Sequence, residues 1–294
     1  MTARWRRTLA AAIIVALAVG CAPADDEPVG LQVVATTSVL GDIAAEVVGD
    51  DGTVATLIPR GADPHDYQAS PSQAASVRRA DLVIAIGLGL EEGLERVLDA
   101  AAADGVPVLE LAPHLDPIAG DPHIWLDPVR IAEGVHLIGT ELARQDPDGD
   151  WPARAEAYAA ELRSVHAEVA DLLAAIPPHR RRLVSDHDSL RYLAERYDLE
   201  VAGTIVPGTS PLAAPAPRHL AALAALIREE GIPAVFLDEA ASGTVAEALR
   251  REVGTDLAVV RLHIGSLGPA DAPAGTYAGL LRENARRIAD ALGG

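Results

Sequence analysis

The stretch Thr53-Val54-Ala55-Thr56-Leu57-Ile58-Pro59-Arg60-Gly61-Ala62-Asp63-Pro64-His65 joins a short apolar run to the tripeptide Asp-Pro-His. The same order recurs later, where the run Val106–Leu111 leads through turn-rich sequence to Asp121-Pro122-His123. Each run has the length and composition of a buried strand. Because proline restricts the backbone just before each histidine, both imidazoles are expected to be held in place, as a metal site requires.

Outward from these two segments, short apolar runs alternate with amphipathic stretches of helical period. This alternation is typical of parallel sheets covered by helices on both faces. The predicted strands are Gln32–Thr36, Thr53–Ile58, Leu82–Ile86, Val106–Leu111, Arg182–Ser185, Val201–Val206, Ala234–Leu237 and Leu257–Leu262. The predicted helices are Val39–Val48, a helix starting at Ser70-Pro71, Glu91–Ala103, Asp127–Arg144, Trp151–Ile176, Ser189–Tyr197, His219–Glu230, Thr244–Glu252 and Tyr277–Leu292.

The helix Trp151–Ile176 divides the chain into two halves. It has no Gly or Pro after Pro152 until it ends at Pro177. At 1.5 Å per residue it would be about 39 Å long, which suits a rigid spine between two lobes. We therefore predict an α/β fold of two lobes, each with a four-stranded, mainly parallel sheet flanked by helices. The N-terminal lobe would span 31–145, the spine segment 146–178 and the C-terminal lobe 179–294.

The N-terminus is predicted to be a targeting segment. Residues 1–20 combine a basic start with a short apolar stretch, the pattern of a secretory signal peptide. The single cysteine, Cys21, follows in a context similar to a bacterial lipobox, although Ala18 stands where that motif usually has Leu. We expect Cys21 to be lipidated and residues 21–30 to form a tether. The alternative is an ordinary signal peptide with an incidental cysteine.

The net charge of −19 argues against nucleic acid as a partner. A third histidine, His187, follows the predicted strand Arg182–Ser185, so three histidines lie just beyond the carboxyl ends of parallel strands, where open α/β sheets bind ligands. Three neutral imidazoles suit Zn²⁺, whereas Mn²⁺ prefers more carboxylate oxygen. Neighbouring carboxylates are expected to orient the rings: Asp63, Asp121 and Asp188, together with Asp66 and Asp186.

Several motifs resemble those of the substrate-binding lipoproteins of bacterial zinc/manganese ABC importers, the cluster A-I or zinc-uptake solute-binding family. They are spread over nearly all of the chain that follows the tether. They comprise Val34-Ala35-Thr36-Thr37-Ser38, Gly61–Tyr67, Ala80-Asp81-Leu82-Val83, Asp121-Pro122-His123-Ile124-Trp125-Leu126-Asp127-Pro128, Asp186–Tyr192 and Gly275-Thr276-Tyr277.

The resemblance implies that His65, His123 and His187 are the three histidine ligands. Family members with histidine at the third place tend to bind zinc, and those with glutamate there tend to bind manganese. One feature departs from the pattern, because the family usually has an aspartate where this chain has Gly265. The fourth ligand is therefore open between water, His263 and Asp238.

The leading prediction is an extracytoplasmic, membrane-anchored receptor, not an enzyme, that captures Zn²⁺ between its lobes as a monomer. It would deliver the ion, or less favourably Mn²⁺, to the permease of an ABC importer. A zinc hydrolase is one alternative, because three histidines plus water is also a catalytic zinc arrangement. The chain has no His-Glu-x-x-His pattern, but Asp188 or Asp238 would remain as a general base. A lipoprotein adhesin or passive metal buffer is the other alternative.

Overall fold

Two four-stranded parallel sheets form the framework of the computed structural model, which describes residues 30–254 and 257–293. The first sheet has the order β2-β1-β3-β4 and the second the order β6-β5-β7-β8, with every pair parallel. The strands are β1 (Leu31–Ala35), β2 (Gly52–Thr56), β3 (Leu82–Ala85), β4 (Val108–Glu110), β5 (Arg182–Ser185), β6 (Glu200–Thr204), β7 (Ala234–Asp238) and β8 (Ala258–Leu262). This architecture confirms the predicted fold class.

Helices connect and cover the strands. They are α1 (Ser38–Val48), α2 (Pro71–Val77), α3 (Glu95–Ala103), α4 (Pro128–Gln145), α5 (Trp151–Ala174), α6 (Arg191–Arg196), α7 (Pro217–Glu230), α8 (Thr244–Val253) and α9 (Tyr277–Gly293). Local sequence sets several of their ends. Ser70 and Gln73 form a reciprocal capping box at the start of α2, with Pro71 in the first turn. Helix α7 ends at Glu230 and is capped by Gly231, whose left-handed φ of 62° is favourable for glycine.

The 24-residue helix α5 lies against helices that precede and follow it in the chain, namely α1, α4 and α9. One continuous cluster of buried apolar side chains therefore contains residues of both sheets as well as Leu162, Val165 and Val169 of α5. Two smaller clusters cover the other faces of the first and the second sheet. We keep 31–145 and 179–294 as the proposed bounds of the lobes, with 146–178 between them.

Two elements differ from their predicted bounds for identifiable reasons. Helix α3 starts at Glu95 rather than Glu91, because the Glu91 carboxylate accepts hydrogen bonds from the Thr36 hydroxyl and the backbone N–H groups of Ile86 and Gly87. Strand β4 is shorter than Val106–Leu111. Its register with β3 starts at Val108, because Pro107 accepts a hydrogen bond from the Val83 N–H but has no N–H of its own to donate.

The signal peptide, most of the tether and the lipidation site Cys21 fall in residues 1–29, outside the described residues, and stay predictions. Across the described residues, every helix is either too short or too polar to cross a membrane.

Candidate metal centre

Three loops at the carboxyl ends of strands bring the predicted histidines together. His65 lies between β2 and α2, His123 between β4 and α4, and His187 between β5 and α6. Carboxyl ends of parallel strands are where open α/β sheets form ligand sites, and here the two sheets present these ends to a common cleft. The cleft is lined by loops of both lobes, including Asp63 and His65 from the first and Asp186 and Asp238 from the second.

The three imidazole rings converge through the same nitrogen atom. The Nε2 atom of His123 lies 3.3 Å from that of His65 and 3.2 Å from that of His187. All three residues are buried, with 5%, 1% and 3% of their surface exposed for His65, His123 and His187. Tetrahedral Zn²⁺ with Zn–N bonds of about 2.05 Å places its nitrogen ligands about 3.3 Å apart. These two separations fit that geometry.

Carboxylates fix the orientation of two of the rings. Nδ1 of His123 donates to Oδ1 of Asp121 at 2.8 Å, and Nδ1 of His187 donates to Oδ1 of Asp186 at 2.9 Å. Because each ring donates from Nδ1, its Nε2 carries a lone pair that points to the common centre. Lone pairs that face one another at about 3.3 Å repel unless a cation or a proton lies between them. The three rings are therefore arranged so that they could hold a cation.

The Asp-Pro-His tripeptide positions its histidine through the backbone as well. The N–H of His65 donates to Oδ1 of Asp63 at 2.9 Å, and the N–H of His123 donates to Oδ1 of Asp121 at 3.0 Å. Aspartates often accept such a bond from the residue two positions later, which closes a tight turn. The two copies differ beyond that bond, because Asp121 also holds its ring whereas Nδ1 of His65 is buried without a partner among the described residues.

The carboxylates that were predicted to orient the rings differ in what they contact. Asp121 contacts its ring as expected, and Asp63 contacts only the backbone of His65. Asp188 forms an ion pair with Arg191 at 3.8 Å, and the carboxylate on the His187 ring is that of Asp186. Asp186 remains next to the ring because its own N–H still pairs with Phe236 of β7, so that the chain turns only after it.

Burial and neighbouring charge set the protonation of the rings. Burial, aided by the other two histidines, lowers the pKa of His65 to about 3. Burial also lowers the pKa of His123, against the opposing effect of Asp121. For His187, burial lowers the pKa, but the hydrogen bond and charge of Asp186 outweigh it, and the net direction is upward. The metal-free site thus prefers its proton on His187, and a metal ion that binds there displaces it.

The predicted candidates for a fourth ligand lie beside the three-histidine group but not within it. Among the described residues, the group whose ligand atoms lie within 4.8 Å of one another consists of the three histidines. The Asp238 oxygens are held by the backbone N–H groups of Ala240 (2.6 Å), Ile264 (3.0 Å) and Gly265 (2.5 Å). Burial raises the pKa of Asp238 to about 6.

His263 belongs to a different part of the interlobe surface. It lines a second cavity, formed by residues such as Arg60 and Arg287, rather than the cleft that contains the three histidines. Gly265 does line that cleft, and a Cβ added to it would lie 2.9 Å from Cδ of Pro64 and 3.6 Å from Oδ2 of Asp238. A protein carboxylate at this place would therefore point into the space between the first Asp-Pro-His loop and Asp238.

Aromatic residues with long-range hydrogen bonds hold the second Asp-Pro-His loop. Trp125 packs on the His123 ring with centroids 5.3 Å apart and donates its Nε1–H to the Ile264 carbonyl at 2.7 Å. The Tyr277 hydroxyl donates to the Trp125 carbonyl at 2.6 Å, and the Tyr192 hydroxyl donates to the Asp121 carbonyl at 2.8 Å. The sequence motifs include these aromatics, but their partners lie too far along the chain to be predicted from local pattern.

A two-lobed α/β protein whose buried histidines meet in the cleft between two sheets has the features of a solute-binding protein for a metal ion. The family model described as the zinc-uptake complex component A, periplasmic, matches residues 33–291, and the chain belongs to this family. The resemblance noted from the motifs is thereby confirmed.

Individual relatives cover nearly the whole chain. The manganese-binding lipoprotein MntA of Halalkalibacterium halodurans is 28% identical over 284 residues, which span 92% of this chain and 93% of the relative. The zinc-binding protein TroA of Treponema pallidum is 29% identical, over 92% of this chain and 91% of TroA. The structure of the periplasmic zinc-binding protein TroA from the same organism matches with a TM-score of 0.83 at 26% identity, covering 90% of this chain and 99% of that one.

The family is described by zinc uptake and these relatives by metal binding, and none of them by an enzymatic activity. This confirms the prediction of a solute-binding component and sets the hydrolase alternative aside. Their names divide between manganese and zinc, so family membership establishes a metal-binding protein of ABC-type uptake but leaves the choice of metal open.

Proposed function

We propose that this protein captures Zn²⁺ in the cleft between its lobes and that His65, His123 and His187 bind the ion through Nε2. The observation that carries the proposal is the convergence of three buried Nε2 atoms at 3.2 and 3.3 Å, two of them with a lone pair fixed by an aspartate. Asp121 and Asp186 orient two of the ligands and raise their basicity.

The composition of the site favours zinc over manganese. The ligand group contains nitrogen atoms alone in the described part of the chain, and Asp121, Asp186 and Asp238 each give an oxygen to a ring or backbone N–H group. Imidazole suits Zn²⁺, while Mn²⁺ prefers carboxylate and water oxygen in a larger coordination sphere. We therefore propose zinc for this chain, even though some of its relatives are named for manganese.

The route of delivery follows from the family. We propose that the protein works outside the cytoplasm as a monomer, anchored to the membrane by a lipid on Cys21, and passes the ion to the permease of an ABC importer. Genes for a permease and an ATPase next to its own gene would support this role. Their absence would favour a passive metal buffer or an adhesin on the same scaffold.

A competitive titration tests the site and the metal together. Zn²⁺ and Mn²⁺ are titrated by calorimetry into the chain without residues 1–20, into His187→Ala and into the control His136→Ala, which changes a half-exposed histidine on α4. We expect one Zn²⁺ per chain, displaced poorly by Mn²⁺, a loss of affinity of at least about 100-fold for His187→Ala, and wild-type affinity for His136→Ala. Tighter binding of Mn²⁺, or equal affinities of the two variants, would refute the proposal.

A further inference from the structure

The three histidines are held in place by different contacts. Asp121 and Asp186 each accept a hydrogen bond from the ring of a neighbouring histidine, at 2.8 and 2.9 Å. The ring of His65 has no such partner, because its Nδ1 is buried without a hydrogen bond among the described residues. The placement of this ring therefore depends on the backbone of its loop.

The loop that carries His65 is tied to the opposite lobe. Apart from the contacts among the three imidazole rings, the hydrogen bonds that join residues 59–66 to distant parts of the described chain all lead to the second lobe. Two of them come from one side chain, since Nη1 of Arg60 donates to the carbonyls of Gly268 at 2.8 Å and Gly275 at 2.7 Å. A first-lobe ligand is thus positioned by the second lobe.

The segment that receives Arg60 is itself fixed. The Gly268 N–H donates to the Ala274 carbonyl at 2.9 Å, which closes a compact turn and brings the carbonyls of Gly268 and Gly275 to one guanidinium. Just after the turn, the Tyr277 N–H donates to Oδ2 of Asp42 in the first lobe at 2.7 Å. The turn is therefore a firm anchor for the His65 loop.

Arginine suits this arrangement because one guanidinium nitrogen carries two hydrogens and can donate to both carbonyls at once. Hydrogen bonds from a charged donor are stronger than neutral ones. When they break, the long-range bond that still joins the loop to the second lobe is that from the Gly61 N–H to Oγ of Ser266, at 2.7 Å. Local opening of the loop, which would carry the imidazole of His65 away from the other two, thus depends largely on Arg60.

We propose that Arg60 is a positioning residue for metal binding. It lines the second cavity and not the cleft that contains the histidines, so it acts through the loop that it holds. By fixing the His65 loop against the turn closed by Gly268, it sets how fast a bound ion is released. This inference rests on the proposed function and names the residue outside the ligand group that controls release.

The first test is the rate at which zinc leaves. Protein loaded with one Zn²⁺ is mixed with an excess of a fluorescent zinc chelator, and the association rate is measured separately. We expect Arg60→Gln to release zinc at least about ten-fold faster than the wild type, because two hydrogen bonds from a charged group are lost. The association rate should change less than about two-fold. Arg60→Lys, which keeps the charge, should lie between the two.

Arg154→Gln is the matched control. Nη1 of Arg154 also donates to a distant backbone carbonyl, that of Val48, at 2.6 Å, and the same guanidinium pairs with Asp51. Both partners lie at the end of α1, which leads into the amino end of β2 and not into a histidine loop. We expect its release rate to stay within about three-fold of the wild type.

A double-mutant cycle separates positioning from general damage. In His65→Ala the loop carries no imidazole, so the addition of Arg60→Gln should leave the zinc affinity of that variant unchanged. In His187→Ala the loop still carries His65, and the effect of Arg60→Gln should persist. An equal effect in both backgrounds would show a merely structural role and overturn the proposal.

Hydrogen exchange of the metal-free protein gives a readout that does not require zinc. Arg60→Gln should speed exchange of the Gly61 N–H, which is bonded to Ser266, at least about ten-fold, while α5 exchanges as in the wild type. Unchanged exchange at Gly61, or faster exchange throughout the chain, would contradict the proposal. This measurement decides if His65→Ala binds zinc too weakly for the cycle.

The outcomes separate the two proposals. A wild-type protein that binds no Zn²⁺ refutes the proposed function. A wild-type protein that binds Zn²⁺, together with an Arg60→Gln variant that releases it at the wild-type rate, keeps the function and overturns the role of Arg60.

Discussion

Replacing Asp121 by Asn should weaken zinc binding without altering the fold. Asp121 is fully buried, and its Oδ1 accepts both the His123 backbone N–H at 3.0 Å and the ring Nδ1–H at 2.8 Å. An asparagine can keep its carbonyl oxygen in that place, because both facing groups are donors. Its NH₂ group then takes the position of Oδ2, which has no partner in the described structure. The substitution thus removes the charge and retains the shape.

The size of the effect follows from the distance between charge and ion. Adding a 2.8 Å hydrogen bond, the width of the imidazole ring and a Zn–N bond places the carboxylate roughly 7 Å from the metal. At an effective dielectric constant of about 20, charges of −1 and +2 at that distance interact by about 5 kcal/mol, which is an upper limit. The dipole of the asparagine side chain retains part of this interaction energy. Loss of such partners typically weakens metal binding 10–100-fold, or about 1.4–2.7 kcal/mol.

The duplicated tripeptide supplies the matched control. Asp63 accepts the backbone N–H of His65 but does not contact its ring, so Asp63→Asn removes the corresponding charge without removing a ring partner. Zinc affinities of the wild type, Asp121→Asn and Asp63→Asn are measured by titration against a competing chelator. We expect Asp63→Asn to lose less affinity than Asp121→Asn, because it removes a charge but no hydrogen bond to a ligand ring. The reasoning fails if the two variants lose equal affinity, or if Asp121→Asn matches the wild type.

Three further predictions concern stability. Because burial lowers the pKa of His65 to about 3, the unfolded chain binds a proton below pH 6.5 that the folded, metal-free protein does not, and stability falls as the pH falls. Between pH 6.5 and 4, the free energy of unfolding measured by urea denaturation should fall more steeply with decreasing pH in the wild type than in His65→Gln, by up to about 1.4 kcal/mol per pH unit. Equal dependence on pH in the two proteins would contradict this. Tyr277→Phe leaves the buried Trp125 carbonyl without its donor and should cost about 1–3 kcal/mol by urea denaturation, against less than about 0.5 kcal/mol for Tyr197→Phe, whose hydroxyl lies 3.3 Å from a ring nitrogen of His166. Zn²⁺ at 1,000 times its Kd should add about 4 kcal/mol and raise the Tm by about 10 °C, reversibly with EDTA; an unchanged Tm would contradict a specific site.

The strands and the histidine loops were predictable because both depend on local sequence. Apolar runs such as Leu82–Ile86 are long enough to predict a buried strand. Because parallel strands all end at the same edge of their sheet, the loops that follow them must lie together at that edge. Strand β5 lies at its predicted bounds, Arg182–Ser185, while most other elements shift by one or two residues. Since His65, His123 and His187 all follow such strands, their convergence could be anticipated without structural information.

The details that the sequence did not reveal depend on side-chain direction and long-range packing. Asp186 and Asp188 flank His187 equally in the sequence, and only the turn of the backbone after β5 decides that Asp186 contacts the ring. The hydrogen bond from Tyr277 to Trp125 joins residues 152 positions apart. Similarly, nothing in the local pattern around His263 shows that its ring lies in a neighbouring cavity.

The apolar cluster shared by both sheets has a consequence for how cargo leaves. Pulling the lobes apart would expose side chains such as Leu162 and Val165 of α5 and break buried bonds such as that from Trp125 to Ile264. At about 25 cal/mol per Å² of apolar surface, such opening is expensive, and it would rarely occur spontaneously. We expect the lifetime of the bound ion to be set by small motions of the histidine loops. A transporter that accepts the ion would then have to deform those loops where the two proteins touch. Release of the ion would therefore depend on contact with the transporter and not on the metal affinity of the isolated protein.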